Sequence, residues 1–372
     1  MPLYTPIVQG LPDKAPFIGT ETLERASGIM TRARIGANES LFGPSPKAVA
    51  AMQSALVEAW RYADPENYDL KEAIAAHHGI SPKNVATGEG IDGLLGLVVR
   101  MMVKEGTPVV TSAGAYPTFN FHVAGFGGAL TQVPFKCDHE DLDGLLAAVE
   151  DTGATLVYLS NPDNPMGNYH SADKVAAFLD ALPENTLLCY DEAYIEFAPE
   201  DARLPLNVDD PRLIRMRTFS KAYGMAAMRV AYALGHEEIC ATFDKVRNHF
   251  GVNRVAQIGA MAALDDQDWL DQVITEVEKG RARIAALAQA EGFTPLPSAT
   301  NFVTVDCHGS AEFSTAIVQE MFKRGVFIRM PFVAPQNRCI RISVGNEAAM
   351  AVLEEEFSAG VAAARAVVGE NA

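Results

Sequence analysis

Short apolar runs alternate with longer amphipathic stretches from about residue 45 onward, and this alternation predicts the architecture. Ser45-Pro46 has the order of a helix start, with a capping residue before a first-turn proline. Residues 69–72 resemble a capping box with Asp69 as the cap. Strands buried on both faces appear as continuous apolar runs, so the pattern predicts a mainly parallel α/β sheet flanked by helices. The predicted strands are residues 108–111, 155–159, 186–190, 213–216 and 230–234.

The pattern changes after about residue 236, where longer helices precede a few separated strands. This change predicts a second, smaller α+β domain. We expect a large domain over residues 40–260 and a small domain made of residues 1–39 and 261–372. The predicted helices are 237–249, 254–264, 269–291, 311–324 and 347–367, and the predicted strands are 301–305, 326–329 and 339–343.

Composition is that of an ordinary globular protein, with 48% hydrophobic and 21% charged residues in a chain of 372. A single core stops growing near 250–300 residues, which supports the division into domains. The 30 basic and 47 acidic residues give a net charge of −17. Nucleic acids and anionic membranes bind basic surfaces, so we expect neither as a partner. A small buried anion site remains compatible with this charge.

Five widely spaced cysteines, without a C-x-x-C pair, predict free thiols. A disulfide framework and a zinc site are both disfavoured, and we expect no metal. The most apolar window, residues 94–103, contains Arg100 and is too short to span a bilayer. The first residues lack the basic and apolar regions of a signal peptide. We therefore expect a cytoplasmic protein.

Four polar clusters follow predicted strands or open helices, where ligands bind in α/β sheets. Residues 87–93 are glycine-rich and suit an anion, although such a turn is often only structural. This stretch also has the G-x-G-x-x-G spacing of a nicotinamide site, but the acidic residue expected about 20 residues later is missing. Residues 160–167 contain two Asn-Pro steps, which form a turn-rich loop that can point an amide into a cleft.

The other two clusters contain the candidate acid and the candidate amine. Asp191 ends a buried apolar run, where a carboxylate is costly unless it meets a cation or a donor; the alternative is a helix cap. Lys221 follows Thr218 and Ser220 and precedes Arg229 by eight residues. This grouping suits a phosphate site around an amine that can form a Schiff base, and a solvated surface lysine is the alternative.

In this order, the clusters resemble class I/II aminotransferases, the fold type I enzymes that use pyridoxal 5′-phosphate (PLP). The histidinol-phosphate aminotransferase-like branch is the most similar. Further marks are Gly-Ala-Asn-Glu at 36–39, Gly-Pro-Ser-Pro at 43–46, Arg-Tyr at 61–62 and Ile-Arg-Ile-Ser-Val-Gly at 340–345. The resemblance covers about residues 35–350. It implies a large PLP-binding domain and a small α+β domain.

The resemblance implies a catalytic set of Lys221, Asp191 and Tyr194. Lys221 would form the Schiff base and then carry the proton between substrate and cofactor. Asp191 would pair with the pyridine nitrogen. Asn164 and Tyr194 would hydrogen-bond the ring oxygen O3′. Phe119 would stack on the ring, with Tyr116 as the second candidate.

The remaining contacts implied by the resemblance are to anions. The cofactor phosphate would meet the backbone near Gly90, Ile91 and Asp92, together with Thr218, Ser220 and Arg229. Tyr62 would reach this phosphate from a neighbouring subunit, which implies a homodimer. Arg341 would hold the substrate carboxylate, and Asn38 would line the cleft. Arg329 would make a second anion contact, with a surface arginine as the alternative.

The function implied is amino-group transfer by a ping-pong mechanism, in amino-acid biosynthesis. The donor would be an L-amino acid or a histidinol phosphate-like amine, and the acceptor a 2-oxo acid. Another fold type I PLP enzyme, a decarboxylase or a β-lyase, is the alternative, and a non-catalytic binding protein is a third. The chain departs from the family pattern at Met166 and Ala227. The family's N-terminal Tyr-Pro-Gly stretch is replaced by residues 17–21, which leaves the amino donor open.

Overall fold

The computed structural model describes residues 3–12 and 18–369. Strands form at most of the apolar runs that the pattern marks. The five strands predicted within the first 260 residues are present: three are shifted by one residue, and the two predicted at 108–111 and 213–216 begin as predicted and end one or two residues later. The strands are β1 (Ala33–Arg34), β2 (Val85–Gly88), β3 (Pro108–Ser112), β4 (Ala129–Val133), β5 (Leu156–Ser160), β6 (Leu187–Asp191), β7 (Leu213–Thr218), β8 (Ala231–Gly235), β9 (Thr294–Pro295), β10 (Phe302–Asp306), β11 (Val326–Phe327) and β12 (Cys339–Ser343).

The helices of the described residues fill the intervals between these strands. The helix predicted over 237–249 ends earlier, at Phe243. The α-helices are α1 (Pro6–Gln9), α2 (Thr20–Ser27), α3 (Pro46–Ala55), α4 (Tyr68–His78), α5 (Gly90–Met102), α6 (Pro117–Gly125), α7 (Leu142–Thr152), α8 (Ala172–Ala181), α9 (Glu237–Phe243), α10 (Arg254–Leu264), α11 (Gln267–Ala290), α12 (Ala311–Lys323) and α13 (Glu347–Val368).

The central sheet has the strand order β2-β8-β7-β6-β5-β3-β4. Strand β8 is antiparallel to β2 and β7, and the other neighbouring pairs are parallel. The mainly parallel α/β sheet is therefore confirmed. The inner strands β5 and β6 are buried along their whole length. Their carboxyl ends open at one edge of the sheet, and the site lies there.

Of the two helix caps predicted from the sequence, Ser45 is present and Asp69 is not. The hydroxyl of Ser45 accepts a hydrogen bond from the backbone N–H of Ala48 at 3.0 Å, as a capping serine should. The prediction of Asp69 as a cap is wrong. Helix α4 begins at Tyr68, whose backbone N–H donates to Asp64 at 2.6 Å. The carboxylate that holds this helix start thus lies five residues earlier than expected.

The C-terminal strands form a small antiparallel sheet in the order β12-β10-β9. The N-terminal region contacts these C-terminal elements in two ways. Strand β1 pairs with β11 in a separate two-stranded sheet, and the N–H of Ser343 in β12 donates to Ile35 O at 2.8 Å. This supports a small domain built from both ends of the chain. The domain boundaries at residues 40 and 260 stay a prediction. Residues 1, 2, 13–17 and 370–372 of the predicted small domain lie outside the described residues.

All five cysteines are free thiols, and only Cys137 is exposed. No helix within residues 3–12 and 18–369 is long and apolar enough to cross a membrane. The described residues also hold no cluster of three or more His, Cys, Asp or Glu that could bind a metal ion.

Candidate active site

Two adjoining cavities lie at the carboxyl edge of the central sheet. The inner cavity holds about 230 Å³ and the outer cavity about 370 Å³. They share Asp92, Tyr116, Asn164, Tyr194 and Lys221, so a ligand can extend from one into the other. The other predicted residues that line the inner cavity are Ile91, Asp191, Thr218, Ser220 and Arg229, and those that line the outer cavity are Asn38, Arg329 and Arg341.

Lys221 enters both cavities from the loop that follows β7. Its Nζ donates to the backbone carbonyl of Asn38 at 3.2 Å and lies 5.5 Å from the centre of the Tyr194 ring. Asn38 has a positive φ of 56°, a conformation that asparagine tolerates better than most residues. Its amide also donates to the Tyr194 hydroxyl at 2.9 Å. The segment at 36–39 therefore places the amine and the phenol side by side.

Asp191 ends β6 and projects from the sheet edge into the inner cavity. One carboxylate oxygen accepts from the Tyr158 hydroxyl at 2.7 Å, and the other accepts from the backbone N–H of Ala193 at 2.9 Å. Burial raises the pKa of Asp191 to about 6, although these two donors and Lys221 oppose the rise. Both hydrogen bonds come from neutral groups. A buried carboxylate of this kind suits a ligand that brings a protonated ring nitrogen.

The opposite end of the inner cavity is built for an anion. Gly90 opens α5 with a φ of 74°, and a Cβ atom there would collide with the Arg229 guanidinium. Arg229 lies 3.5 Å from the Ser220 hydroxyl and 3.4 Å from Asp92. The Thr218 hydroxyl accepts from the backbone N–H of Ser220 at 3.0 Å. A helix N-terminus, two hydroxyls and a guanidinium thus converge, which is a donor set that fits a phosphate.

Asn164 and Tyr194 lie between the carboxylate end and the anion end. The Asn164 carbonyl accepts from the Arg341 guanidinium, so its amide N–H groups are the donors that remain. The Tyr194 hydroxyl accepts from Asn38 and keeps its own proton to donate. Two such donors suit a negatively charged ring oxygen. Together with Lys221, Asp191 and the anion end, they match the groups of PLP.

The outer cavity contains two arginines on neighbouring segments. Arg329 and Arg341 form an antiparallel bridge, with N–O distances of 3.2 and 2.6 Å between their backbones. Burial lowers the pKa of both, to about 10 for Arg341, and the charge of Arg329 lowers that of Arg341 further. Arg329 also donates to the Ile18 carbonyl at 2.8 Å. Two mutually repelling guanidinium groups in one cavity favour an anionic ligand.

The structure places Phe119 away from both cavities. Its side chain is fully buried and stacks on Tyr158, with ring centres 4.8 Å apart. Tyr116 lines both cavities instead, and its hydroxyl donates to Asp92 at 2.8 Å. Tyr116 precedes α6, whereas Phe119 lies inside the helix on the side that faces the sheet. Of the two candidates for the stacking role, only Tyr116 lines the cavities, and the role itself stays a prediction.

Tyr62 also lies away from the cavities within this chain. Its side chain is 80% exposed and packs against Phe250, with ring centres 4.8 Å apart. A single chain therefore does not bring Tyr62 to the anion end. Its action from a second subunit stays a prediction.

Two buried residues beneath the site were missed by the sequence reasoning. Tyr158 contacts Asp191, and Glu140 accepts from the Ser112 hydroxyl at 2.5 Å and from the Ser160 N–H at 2.9 Å. Burial raises the pKa of Glu140 well above its usual value. Tyr158 lies within an apolar run that predicts a strand, so the local pattern does not mark it as a site residue. The available signal was its position relative to Asp191 at the end of the neighbouring strand. Glu140 lies in a connecting segment, where no local pattern marks it.

Known proteins share this fold and these elements. The family model of aminotransferase class I and II matches residues 33–357. A histidinol-phosphate aminotransferase from Anaeromyxobacter sp. is 36% identical over 362 residues, covering 95% of this chain and 98% of the relative. One from Desulfotalea psychrophila is 34% identical over 336 residues, covering 88% and 86%.

Solved structures agree. The crystal structure of histidinol-phosphate aminotransferase from Sinorhizobium meliloti in complex with pyridoxal-5′-phosphate shares 54% identity, with a TM-score of 0.94 over 96% of this chain and 97% of that one. Aspartate aminotransferase from Thermus thermophilus with maleate shares 18% identity at a TM-score of 0.82, covering 97% of this chain and 100% of that one, and shows the fold alone.

The fold and the site define a fold type I enzyme that depends on PLP. The chain belongs to the class I and II aminotransferases and is most like their histidinol-phosphate aminotransferase branch. It is a PLP-dependent transaminase, and the alternative of a decarboxylase or β-lyase is not favoured.

Proposed function

We propose that this transaminase takes its amino group from histidinol phosphate and passes it to a 2-oxo acid, in amino-acid biosynthesis. The observation that carries the proposal is the pair Arg329 and Arg341, which lines the same cavity as Lys221. A phosphate ester carries up to two negative charges and can meet two guanidinium groups at once. The relatives named above act as histidinol-phosphate aminotransferases, which supports this donor.

The proposed roles of the cofactor-facing residues follow from their positions. PLP supplies a carbonyl carbon that binds the amino group and a ring that accepts the electron pair of the adjacent C–H bond. Lys221 Nζ carries the proton that leaves the substrate carbon. Asp191 holds a proton on the ring nitrogen, and Asn164 and Tyr194 donate to the ring oxygen. Tyr116 packs on the ring face.

The anion contacts complete the proposed site. The N-terminus of α5 at Gly90, Ile91 and Asp92 binds the cofactor phosphate together with the residues that face it. Those residues are Thr218, Ser220 and Arg229. Arg341 and Arg329 bind the phosphate or carboxylate of the substrate, and Asn38 orients Lys221 through its backbone carbonyl.

We also propose a homodimer in which Tyr62 completes the anion end of the partner's site. Support comes from exposed apolar side chains, each more than half exposed: Leu56, Val57, Trp60, Tyr62 and Phe250. Trp60 alone is 82% exposed. Exposed apolar surface of this kind marks protein interfaces. A second copy covers these side chains and brings Tyr62 to a site that one chain leaves without it.

Two further proposals concern the chain as a whole. The large PLP-binding domain spans residues 40–260, and the small domain combines residues 1–39 and 261–372. The pairing of β1 with β11 supports this division. A cytoplasmic location agrees with five free thiols, since such thiols persist in reducing compartments.

The donor is tested by comparing histidinol phosphate with histidinol, L-histidine, L-glutamate, L-aspartate and aromatic amino acids. We expect histidinol phosphate to have the highest kcat/KM. Histidinol lacks only the phosphate, and we expect a loss of about hundredfold for it, because charge-assisted hydrogen bonds disappear. Equal turnover of histidinol and histidinol phosphate would refute the donor. In Lys221→Ala, the visible absorption of bound PLP should change and amino transfer should stop.

The arginine pair is tested with Arg329→Gln and Arg341→Gln. We expect each to raise KM for histidinol phosphate by about ten- to hundredfold while the absorption spectrum of the bound cofactor is kept. Arg324→Gln is the matched control, because Arg324 pairs with Glu356 and lines neither cavity. An unchanged KM in both cavity variants would contradict the proposed anion contact.

A further inference from the structure

The Tyr158 hydroxyl is the side-chain donor to the Asp191 carboxylate. Strands β5 and β6 are parallel neighbours, and Tyr158 stands opposite Cys189 in their register. From that position its hydroxyl reaches Asp191 Oδ2 at 2.7 Å. Both side chains are at least 97% buried. Loss of a hydrogen bond between two buried groups is costly, because a buried polar atom is left without its partner.

The Phe119 side chain of α6 packs on the Tyr158 ring and holds it in place. The Phe119 ring lies 4.8 Å from it, at an interplanar angle of 19°. Both rings are fully buried, so the surrounding packing keeps the Tyr158 hydroxyl next to Asp191. Burial and the neighbouring Asp191 charge raise the Tyr158 pKa well above its usual value. The hydroxyl consequently keeps its proton and acts as a donor toward Asp191.

The surroundings of Asp191 oppose its negative charge. Burial is the largest cause of its raised pKa, and the charge of Asp92 adds to the effect. Tyr158, the Ala193 N–H and the Lys221 charge act in the other direction. The titratable groups that interact electrostatically with Asp191 include Asp92, Glu140, Tyr158, Cys189 and Lys221. Glu39, Tyr194 and Arg229 line the same cavity.

We propose that Tyr158 is a positioning residue that keeps Asp191 the weaker base of the pair it forms with the cofactor ring nitrogen. The shared proton then stays on the nitrogen, where it makes the ring an effective electron acceptor. The inference rests on the proposed role of Asp191. In this inference, Phe119 holds the Tyr158 ring in position by stacking on it.

The geometry explains why this hydroxyl is the group that sets the proton's position. Asp191 Oδ1 is occupied by the Ala193 N–H at 2.9 Å, and that donor belongs to the backbone of the following turn. Oδ2 accepts from Tyr158, and its second lone pair can accept a hydrogen bond from a ligand in the cavity. Removal of the hydroxyl leaves a buried oxygen with one donor fewer. A carboxylate that loses a donor becomes more basic and competes for the ring proton.

The test replaces Tyr158 with phenylalanine, which removes the hydroxyl and keeps the ring stacked on Phe119. The readout is the ¹⁵N chemical shift of PLP labelled at its ring nitrogen, bound in the holoenzyme. We expect a protonated nitrogen in the wild type. In Tyr158→Phe the proton equilibrium should move about ten- to hundredfold toward the carboxylate, the effect of one hydrogen bond to a charged group.

Tyr190→Phe is the matched control. Tyr190 is also fully buried and directly precedes Asp191, but its hydroxyl accepts from Asn161 at 2.9 Å and not from Asp191. We expect this variant to keep the ring nitrogen protonated. Equal shifts in Tyr158→Phe and Tyr190→Phe would overturn the proposal, because a general loosening of the core would then explain both.

Asp191→Asn separates failure of the inference from failure of the proposed function. If this variant loses the ring proton and Tyr158→Phe keeps it, Asp191 holds the proton without Tyr158 and the inference is wrong. If Asp191→Asn also keeps it, the proposed role of Asp191 is wrong.

A second measurement applies if Tyr158→Phe binds PLP poorly. Infrared difference spectra of the cofactor-free protein report the protonated carboxyl of Asp191, identified by its absence in Asp191→Asn. Tyr158→Phe should then show that band at a higher pH than the wild type, and an unchanged pH would refute the proposal.

Discussion

Replacement of Glu192 should destabilise this fold strongly with little change in the shape of the side chain. Glu192 follows Asp191 and is fully buried. Its carboxylate accepts from Arg215 at 2.9 and 2.6 Å and from Arg217 at 3.0 Å. Arg215 is 1% exposed, so the pair is removed from water. Replacement by glutamine keeps the size of the side chain and removes its charge.

The magnitude follows from the pKa of Glu192. Burial alone would raise it, but the charges of Arg215 and Arg217 outweigh burial and lower the pKa from 4.5 to about 2. A lowering of this size corresponds to about 3 kcal/mol of stability at neutral pH. Breaking one partner of a buried ion pair costs about 3–5 kcal/mol by comparison with other proteins. We therefore expect Glu192→Gln to lower the free energy of unfolding by about 3 kcal/mol.

The assay is urea denaturation of the cofactor-free protein at several pH values. A carboxyl with a lowered pKa stabilises the fold above its unfolded pKa, and this contribution is lost as pH falls from 4.5 toward about 2. The difference between wild type and Glu192→Gln should therefore be largest at pH 7 and shrink in that acid range. Glu347→Gln, at an exposed ion pair with Arg283, is the control and should leave stability unchanged. A difference below about 1 kcal/mol at pH 7, or one that does not change with pH, would refute the reasoning.

Three other experiments test the packing of the site and the proposed interface. Gly224→Ala should weaken PLP binding at least tenfold, measured by equilibrium titration, because Gly224 has a φ of 68° and its Cβ would meet the backbone of the facing loop. Tyr116→Leu should lower PLP affinity about tenfold, whereas Phe119→Leu should mainly lower the unfolding temperature; equal affinity losses would contradict the assignment of Tyr116. Trp60→Glu should produce a monomer in analytical ultracentrifugation, and the control Val367→Glu, also at an exposed position, should not; a dimeric Trp60→Glu would contradict the interface.

Several candidate residues could be located from sequence because topology collects them. Asp191 and Thr218 end parallel strands, and Lys221 follows one of them within three residues. The carboxyl ends of parallel strands meet at one edge, so residues distant in sequence line one cavity. The resemblance to a family then assigned expected roles to these positions. Neither step required knowledge of side-chain packing.

The stacking residue could not be chosen in the same way. Tyr116 and Phe119 are three residues apart around the start of α6, and both are aromatic. Which of them faces a cavity depends on where the helix begins and how it lies on the sheet. The structure places Phe119 against Tyr158, a contact between elements about 40 residues apart that no local pattern encodes.

Short or polar strands were missed for a physical reason. Strand β2 has only four residues and ends in glycine, and β4 is an edge strand with its side chains partly exposed. Neither forms the continuous apolar run that marks a doubly buried strand. Pairing with neighbours holds them in the sheet, and such pairing is a property of the assembled fold. Glu140 was missed for a related reason, because it lies in a connecting segment and its partners Ser112 and Ser160 end two different strands, β3 and β5.

The net charge of −17 and the excess of cations in the outer cavity do not conflict, because the two act over different distances. Charges on the surface are screened over about 8–10 Å at physiological salt. Arg341 is half-buried in the outer cavity, where a charge interacts more strongly with its neighbours than in water. The acidic surface therefore disfavours large polyanions, while Lys221, Arg229, Arg329 and Arg341 still attract a small anion that enters the cavity. Because partly buried charges are screened less than exposed ones, the affinity for a phosphate-bearing substrate should depend on salt less than that of a surface site.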